Sequence, residues 1–195
     1  MDKCIHRLRS TLDNLVDVTS LETDRFLLMK REYDFAGVVR MSLEKWRPRA
    51  AEREITMIQE GLNHACPGLG DPERLSRAIG HIVENAIKFT PPSGAVGIAT
   101  RETNQCWEVI VADTGPGIPS EKLDRIFEAF YQVDGSDTRE HGGVGVGLAI
   151  ARRTARGLGG DVTVISPCDQ IIAGRSFTGS VFALRVARLG PENRA

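Results

Sequence analysis

One stretch decides how this chain folds: DPERLSRAIGHIVENAIKFT, residues 71–90. Its apolar residues recur in steps of three and one, which places them in one continuous stripe along a helix. Asp71 can accept hydrogen bonds from the free amides of the first turn, and Pro72 loses no useful donor at the first helical position. We therefore predict a long amphipathic helix that ends before Pro91. The buried stripe consists of Leu75, Ala78, Ile79, Ile82, Val83, Ala86 and Ile87.

The opposite side of this helix is polar and carries His81, Glu84, Asn85 and Lys88, at steps of three, one and three. Side chains at these steps line up as one strip. Carboxylate and amide oxygens suit a hard cation such as Mg²⁺, and an ammonium group suits phosphate. Taken alone, however, the strip fits an ordinary solvated helix face better than a magnesium–phosphate site.

The segments around this helix mix helices and strands without strict alternation. Such a mixture favours an α+β two-layer sandwich over a doubly wound sheet. Further helices are predicted over residues 34–47, where Pro48 is expected to end the helix, and over 120–131 and 148–156. Strands are predicted over residues 54–58, 96–100, 107–112, 162–165 and 181–186.

Composition narrows the class of protein. The 195 residues suffice for one well-packed core, since single domains commonly contain about 100–200 residues. The formal net charge is −1 with both signs scattered, so no basic stripe predicts a nucleic-acid partner. Four separated cysteines predict neither a disulfide framework nor a zinc site. Because no apolar run has the roughly 18–20 residues of a membrane helix and no signal-peptide pattern is present, we expect a cytoplasmic location, with membrane anchoring of a longer parent protein left open.

Two glycine-rich segments change the interpretation of the polar strip. Asp113 follows a predicted strand and precedes TGPGIP (114–119), whose glycines allow the backbone to approach a flat ligand while the carboxylate accepts from an exocyclic amine. The second segment, GGVGVGL (142–148), runs into a helix, and free amides at a helix start bind anions. Each segment alone is a weak signal, because glycine-rich loops are common.

Four motifs occur in order: HIVENAIKFTP (81–91), ADTGPGIP (112–119), IFEAFYQVD (126–134) and GGVGVGLAIARR (142–153). They resemble the asparagine box, first glycine box, phenylalanine box and second glycine box of the ATPase domain of sensor histidine kinases. That domain is similar to the ATPase domains of DNA gyrase, heat-shock chaperones and mismatch-repair proteins. The resemblance implies a Bergerat-type fold: a mixed sheet with helices on one face, ATP between helices and a mobile lid.

The resemblance also implies roles for the polar strip. Asn85 is expected to bind Mg²⁺, and Lys88 is expected to contact phosphate. Glu84 is their expected catalytic neighbour. His81 occupies the place where related hydrolases keep a general base for water, so we expect it to contact nucleotide without a defined catalytic role.

Asp113 is implied to read the adenine, and the glycine-rich loop before residue 148 to surround the phosphates. Phe127 and Phe130 resemble lid aromatics, and the alternative is that both are core residues. Arg139 is a candidate contact for the γ-phosphate. The remaining expected ATP contacts are Gly115, Gly117, Ile118, Gly143, Gly145, Val146, Gly147 and Leu148.

Two departures from the family pattern stand out. Val144 occupies a position that is usually Thr or Ser, so a hydroxyl contact is lost while backbone amides remain. The segment 167–178 is longer than the turn that usually precedes the last strand. Neither change removes an expected metal or phosphate ligand, so we expect ATP binding to survive.

Residues 1–32 are interpreted as a dimerisation helix and linker, 33–187 as the ATPase domain and 188–195 as a tail. Apolar residues alternate in steps of three and four from Ile5 to Leu15, which is typical of a helix–helix seam or of one amphipathic helix lying on its own domain. His6 superficially resembles a phosphoacceptor, but it lies too close to residues 15–22, which resemble the end of a second dimerisation helix. The acceptor helix is therefore expected to be absent from this chain.

Three functions remain open. The leading hypothesis is transfer of the γ-phosphoryl group of Mg-ATP to a histidine on a dimerisation helix, with a response regulator downstream and a homodimeric parent protein. The second is a catalytically silent nucleotide-binding module that signals by conformation. The third, a gyrase-like hydrolase, would require a carboxylate at position 81, where this chain has histidine. A P-loop enzyme is disfavoured because GxxxxGK[ST] is not present.

Overall fold

A computed structural model describes residues 28–103, 105–132 and 144–188 of the chain. The helices are α1 (Phe35–Glu44), α2 (Arg47–Glu52), α3 (Pro72–Phe89) and α4 (Gly147–Gly157), with a short 3-10 helix at Ser120–Lys122. The strands are β1 (Arg31–Asp34), β2 (Thr56–Glu60), β3 (Pro67–Gly70), β4 (Ala95–Glu102), β5 (Cys106–Asp113), β6 (Val162–Ile165), β7 (Gln170–Ile172), β8 (Arg175–Phe177) and β9 (Val181–Ala187).

The main sheet has five strands in the order β2-β4-β5-β9-β6. β2 pairs with β4 in parallel, whereas the other pairs are antiparallel, so the sheet is mixed. β1 and β3 form a separate antiparallel ladder, and β7 and β8 form a hairpin. The central strand β5 therefore has a partner on both sides. Asp113 lies at the carboxyl end of this strand, between the ends of β4 and β9.

Helices α1, α3 and α4 cover one face of this sheet. The predicted apolar stripe of α3 is buried from Leu75 to Ile87 and packs against strand residues such as Val109 and Leu184. The predicted cap is present, since the Asp71 carboxylate accepts from the Arg74 amide at 3.0 Å. The α+β fold and the long amphipathic helix predicted from the sequence are confirmed.

The other face of the sheet is partly covered by the β7–β8 hairpin. Ile172 and Phe177 are fully buried there, against Ala99 of β4 and Ile110 of β5. The long segment 167–178 is thus a short hairpin that adds a local third layer to the sandwich. No strand had been predicted in this segment.

Two helix predictions were wrong in detail. The helix predicted over 34–47 ends at Glu44, and Pro48 lies in the first turn of α2, where a missing amide donor costs little. The helix predicted over 120–131 is a 3-10 turn followed by further turns. Phe130 marks the end of this segment, because its φ is +67° and its amide donates to Gly145 O at 2.9 Å instead of continuing a helix.

No helix in the described part of the chain is both long and apolar enough to cross a membrane. The predicted helix around Ile5–Leu15 and the candidate acceptor His6 lie outside the described residues. The proposed division of the chain at residues 32 and 187 stays a prediction.

Candidate functional site

The site is built around Asp113, which is only 5% exposed. Its Oδ1 atom accepts from the Gly115 amide at 2.8 Å and from the Ser180 amide at 3.2 Å. Burial raises the pKa of the Asp113 carboxyl above its ordinary value, and the two backbone hydrogen bonds oppose that rise. The carboxyl group is therefore fixed in orientation by main-chain donors.

The second carboxyl oxygen, Oδ2, receives no hydrogen bond from the residues that the structure describes. A buried carboxylate with one satisfied and one open oxygen can accept from a ligand N–H group. Gly179 makes this arrangement possible because its backbone approaches Asp113 and Gly115 closely. A Cβ atom on it would lie 2.2 Å from Asp113 Oδ1 and 2.6 Å from the Gly115 amide.

The loop after Asp113 is held against two other segments. Gly115 packs against the end of α3, where its Cβ would lie 2.9 Å from Phe89 O. Gly117 has φ +79°, a conformation that glycine adopts without strain. The Ile118 amide then donates to Ser166 Oγ at 2.7 Å. The predicted contacts Asp113, Gly115, Gly117 and Ile118 thus lie in one loop that is held on both sides.

The polar strip of α3 has different surroundings at each residue. Asn85 is half-buried, and its side chain makes no hydrogen bond within the described ranges. Glu84 forms an ion pair with Arg49 of α2 at 3.1 Å. Lys88 places its Nζ atom 4.8 Å from the ring centroid of Phe89.

His81 brings the strip to the second glycine-rich segment. A Cβ atom on Gly147, the first residue of α4, would lie 3.1 Å from His81 Nδ1. Val146 precedes the helix and provides no side-chain cap, so the first amides of α4 are not satisfied by a capping side chain. Gly145 has φ +75°. The structure therefore joins the strip to a helix start that can bind an anion.

The aromatic residues divide into two kinds. Phe127 packs against the core and beneath the Arg152 guanidinium, which lies 4.6 Å from its ring centroid. Phe130 is 59% exposed. Of the other expected contacts, Leu148 packs against the core, whereas Arg139 and Gly143 lie outside the described residues.

Sequence reasoning missed three residues that hold the site together: Ser166, Gly179 and Ser180. They lie 48 to 67 residues from the groups they contact, Ile118 and Asp113. Neither serine belongs to a motif with recognisable spacing. Only the pairing of β5 with β9, which brings the Gly179–Ser180 turn to Asp113, makes their role visible.

Comparison with known proteins identifies the family of the chain. The profile of the histidine kinase-, DNA gyrase B- and HSP90-like ATPase family matches residues 70–188. The chain belongs to this family of ATP-binding domains. The resemblance stated from the four motifs is confirmed.

Among known relatives, the autoinducer 2 sensor kinase/phosphatase LuxQ of Vibrio parahaemolyticus is 34% identical over 170 residues, which are 84% of this chain and 20% of LuxQ. The mycobacterial sensor histidine kinase MprB has a solved structure with a TM-score of 0.67 at 25% identity, covering 82% of this chain and 98% of that chain. Full-length ShkA in complex with AMPPNP has a TM-score of 0.75 at 28% identity, covering 94% of this chain and 36% of that one.

The relatives are sensor histidine kinases, and the structural neighbours include their catalytic domains. The chain spans 10% to 21% of the length of the first curated relatives that it matches. It therefore corresponds to the ATPase part of much longer proteins.

Proposed function

We propose that this chain is the ATP-binding catalytic module of a sensor histidine kinase. It transfers the γ-phosphoryl group of ATP to a histidine on a dimerisation helix. The observation that carries the proposal is the buried carboxyl of Asp113, with Oδ1 held by backbone amides and Oδ2 left for a ligand. An adenine amine is a donor that matches this acceptor, and the glycines at 115 and 117 leave room for a flat ring.

The phosphate end of the nucleotide is assigned to α3 and α4. Asn85 fits a Mg²⁺ site, because its half-buried amide oxygen has no partner in the described part of the chain and oxygen is the ligand that this ion prefers. Bound there, Mg²⁺ would neutralise phosphate charge. The uncapped amides at the start of α4 and the Lys88 ammonium would hold phosphate oxygens.

The reaction that we assign to the module is an in-line displacement. An imidazole nitrogen of the acceptor histidine forms a bond to the γ-phosphorus, and the bond from phosphorus to the bridging oxygen breaks, so that ADP leaves with the electron pair. The module contributes orientation and charge neutralisation rather than covalent chemistry. We keep Glu84 as a catalytic neighbour of Asn85 and Lys88. Its exposed ion pair with Arg49 contributes only about 0–1 kcal/mol, so this pair can break when a ligand binds.

The partners follow from this assignment. We propose a homodimeric parent protein, in which the acceptor histidine lies on a dimerisation helix and the phosphoryl group passes to a response regulator. We also propose a cytoplasmic location, where ATP is available.

Phosphoryl transfer to a separately supplied acceptor hairpin tests the proposal. The full chain is mixed with γ-labelled ATP, Mg²⁺ and the hairpin, and the label is followed. We expect label on the hairpin and none with Asn85→Ala. Asn63→Ala, the same substitution at an exposed asparagine, is the matched control and should retain transfer.

Other outcomes of the same assay point elsewhere. ATP binding without transfer supports a silent module that signals by conformation, and release of free phosphate alone supports a hydrolase. Equal transfer by Asn85→Ala and the unchanged protein would refute the metal assignment. Failure of the unchanged chain to bind Mg-ATP would refute the proposed function itself.

A further inference from the structure

We infer that Ser166 is a positioning residue for base recognition: its hydroxyl ties the Gly117–Ile118 turn to the Gly179–Ser180 turn that holds Asp113. This inference rests on the proposed nucleotide site and deepens it. Ser166 directly follows β6, whereas Asp113 ends β5. These two strands are not neighbours in the sheet, because β9 lies between them.

The hydroxyl of Ser166 is fully engaged. The side chain is buried, with the residue 7% exposed. Its Oγ atom accepts from the Ile118 amide at 2.7 Å. The Gly179 carbonyl lies 3.2 Å away and Ser180 Oγ lies 3.1 Å away. A hydroxyl has one proton and two lone pairs, so these three contacts use its hydrogen-bonding capacity.

Residues 179 and 180 in turn fix Asp113. The Gly179 amide donates to Asp113 O at 3.0 Å, and the Asp113 amide donates to Ser180 O at 2.9 Å. The Ser180 amide donates to Asp113 Oδ1 at 3.2 Å. One turn therefore sets the main chain and the carboxylate of the base-reading residue together.

Ser166 connects the turn that holds Asp113 to the Gly117–Ile118 turn, and we call the space between these two turns the base subsite. Ile118 N is bonded to Ser166 Oγ, which is also within hydrogen-bond distance of the turn that holds Asp113. The fit is close, since a Cβ atom on Gly117 would lie 3.0 Å from Ser166 Oγ. An alanine at 166 would remove the acceptor of the Ile118 amide and the link between both turns. We expect the variant to lose affinity through the contact between Asp113 and the exocyclic amine, whereas the contacts to phosphate should be retained.

The test compares ATP with purine riboside triphosphate, which has the same phosphates but lacks the exocyclic amine. Kd for both nucleotides is measured calorimetrically with the full chain and with Ser166→Ala. We expect Ser166→Ala to raise Kd for ATP by about 5- to 10-fold, the effect of one lost hydrogen bond, and Kd for the analogue by less than about 2-fold. The preference for ATP should therefore fall.

Two further variants separate positioning from general stability. Ser42→Ala removes another buried hydroxyl, which donates to Val38 O at 2.8 Å in α1, and should leave the preference for ATP unchanged. Ser166→Cys keeps a weak hydrogen-bonding group on a slightly larger side chain, so it should lower the preference less than Ser166→Ala does. It also provides a reading if Ser166→Ala does not fold.

An unchanged preference in both Ser166 variants, or an equal loss in Ser42→Ala, would overturn the inference while leaving the proposed function intact. If the unchanged chain binds ATP no better than the analogue, the assignment of Asp113 to the amine fails, and the inference fails with it.

Discussion

The packing of the β7–β8 hairpin against the sheet can be tested by a double-mutant cycle between Gly97 and Phe177. A Cβ atom on Gly97 would lie 2.5 Å from Phe177 Cζ and 3.0 Å from Ile172 Cδ1. Phe177 and Ile172 are both 0% exposed, so neither side chain can swing into solvent. Gly97→Ala should therefore push against the aromatic ring, whereas Phe177→Ala should remove that ring and leave a cavity.

Magnitudes follow from these contacts. Phe177→Ala should lower the free energy of unfolding by about 3–5 kcal/mol. Gly97→Ala adds about 1–3 kcal/mol of overpacking, of which about 0.4–1 kcal/mol is returned by the reduced entropy of the unfolded chain. In the double variant the new methyl group enters the space that the ring has left. We therefore expect a coupling energy of about 1–2 kcal/mol, within the range for residues in contact, that makes the double variant more stable than the sum of the single changes.

Urea denaturation followed by circular dichroism measures all four free energies. Ile171→Ala is the matched control, because Ile171 lies on the same hairpin but is 62% exposed, and its change should stay within about 0.5 kcal/mol. Additivity of the Gly97 and Phe177 effects within about 0.5 kcal/mol would refute the packing described here, since that is the behaviour of sites that do not touch.

Two further predictions concern the site and the ion pairs beside α4. Gly179→Ala would place a methyl group 2.2 Å from Asp113 Oδ1, so calorimetry should find ATP binding at least about tenfold weaker; unchanged affinity would contradict the base subsite. Burial raises the pKa of the Asp161 carboxyl, but hydrogen bonds from Arg152 and Arg156 outweigh this and lower it to about 2. This stabilisation is present above the unfolded pKa of about 3.9 and is lost as pH falls through about 2. Asp161→Asn should thus cost at most about 1 kcal/mol in the free energy of unfolding at pH 7, because the ion-pair partners are partly exposed and screened by water. The difference should shrink from about pH 4 downward, and a constant difference would contradict the linkage.

Patterns of apolar residues that extend over many positions predict the helical layer and the central strands from the sequence. The stripe from Leu75 to Ile87 has a single solution, because only one rotation of the helix buries every apolar residue. The strand that ends at Asp113 was likewise predicted, since a continuous apolar run before an acidic residue and two glycines is typical of a buried strand. The family motifs then related these elements to ATP.

Short elements escaped prediction for a different reason. β7 and β8 have three residues each, and the two-residue connection between them is Ala173–Gly174, which lacks the usual Asn-Gly signal. Phe130 lies within a sequence that predicts a helix, yet its amide bonds to Gly145, 15 residues further along. Tertiary contacts determine both features, and no local pattern reports them.

The same limit applies to the site. Asp113 and the glycine at 115 are neighbours in the chain and were found together, whereas Ser166 and Ser180 reach the site only through strand pairing. The roles of Asn85 and Lys88 stay predictions, because they concern contacts with bound Mg²⁺ and phosphate.

The hairpin also offers a handle for protein engineering. Ala173 and Gly174 at its tip have φ values of +47° and +77°, and within the described part of the chain no atom beyond the neighbouring residues lies within 4 Å of where a Cβ atom on Gly174 would stand. At its base, the Cys168 amide donates to the Gly179 carbonyl beside Asp113. Exposed tips of this kind commonly accept inserted segments. A reporter peptide inserted at the tip would be joined through two short strands to the turn that holds Asp113.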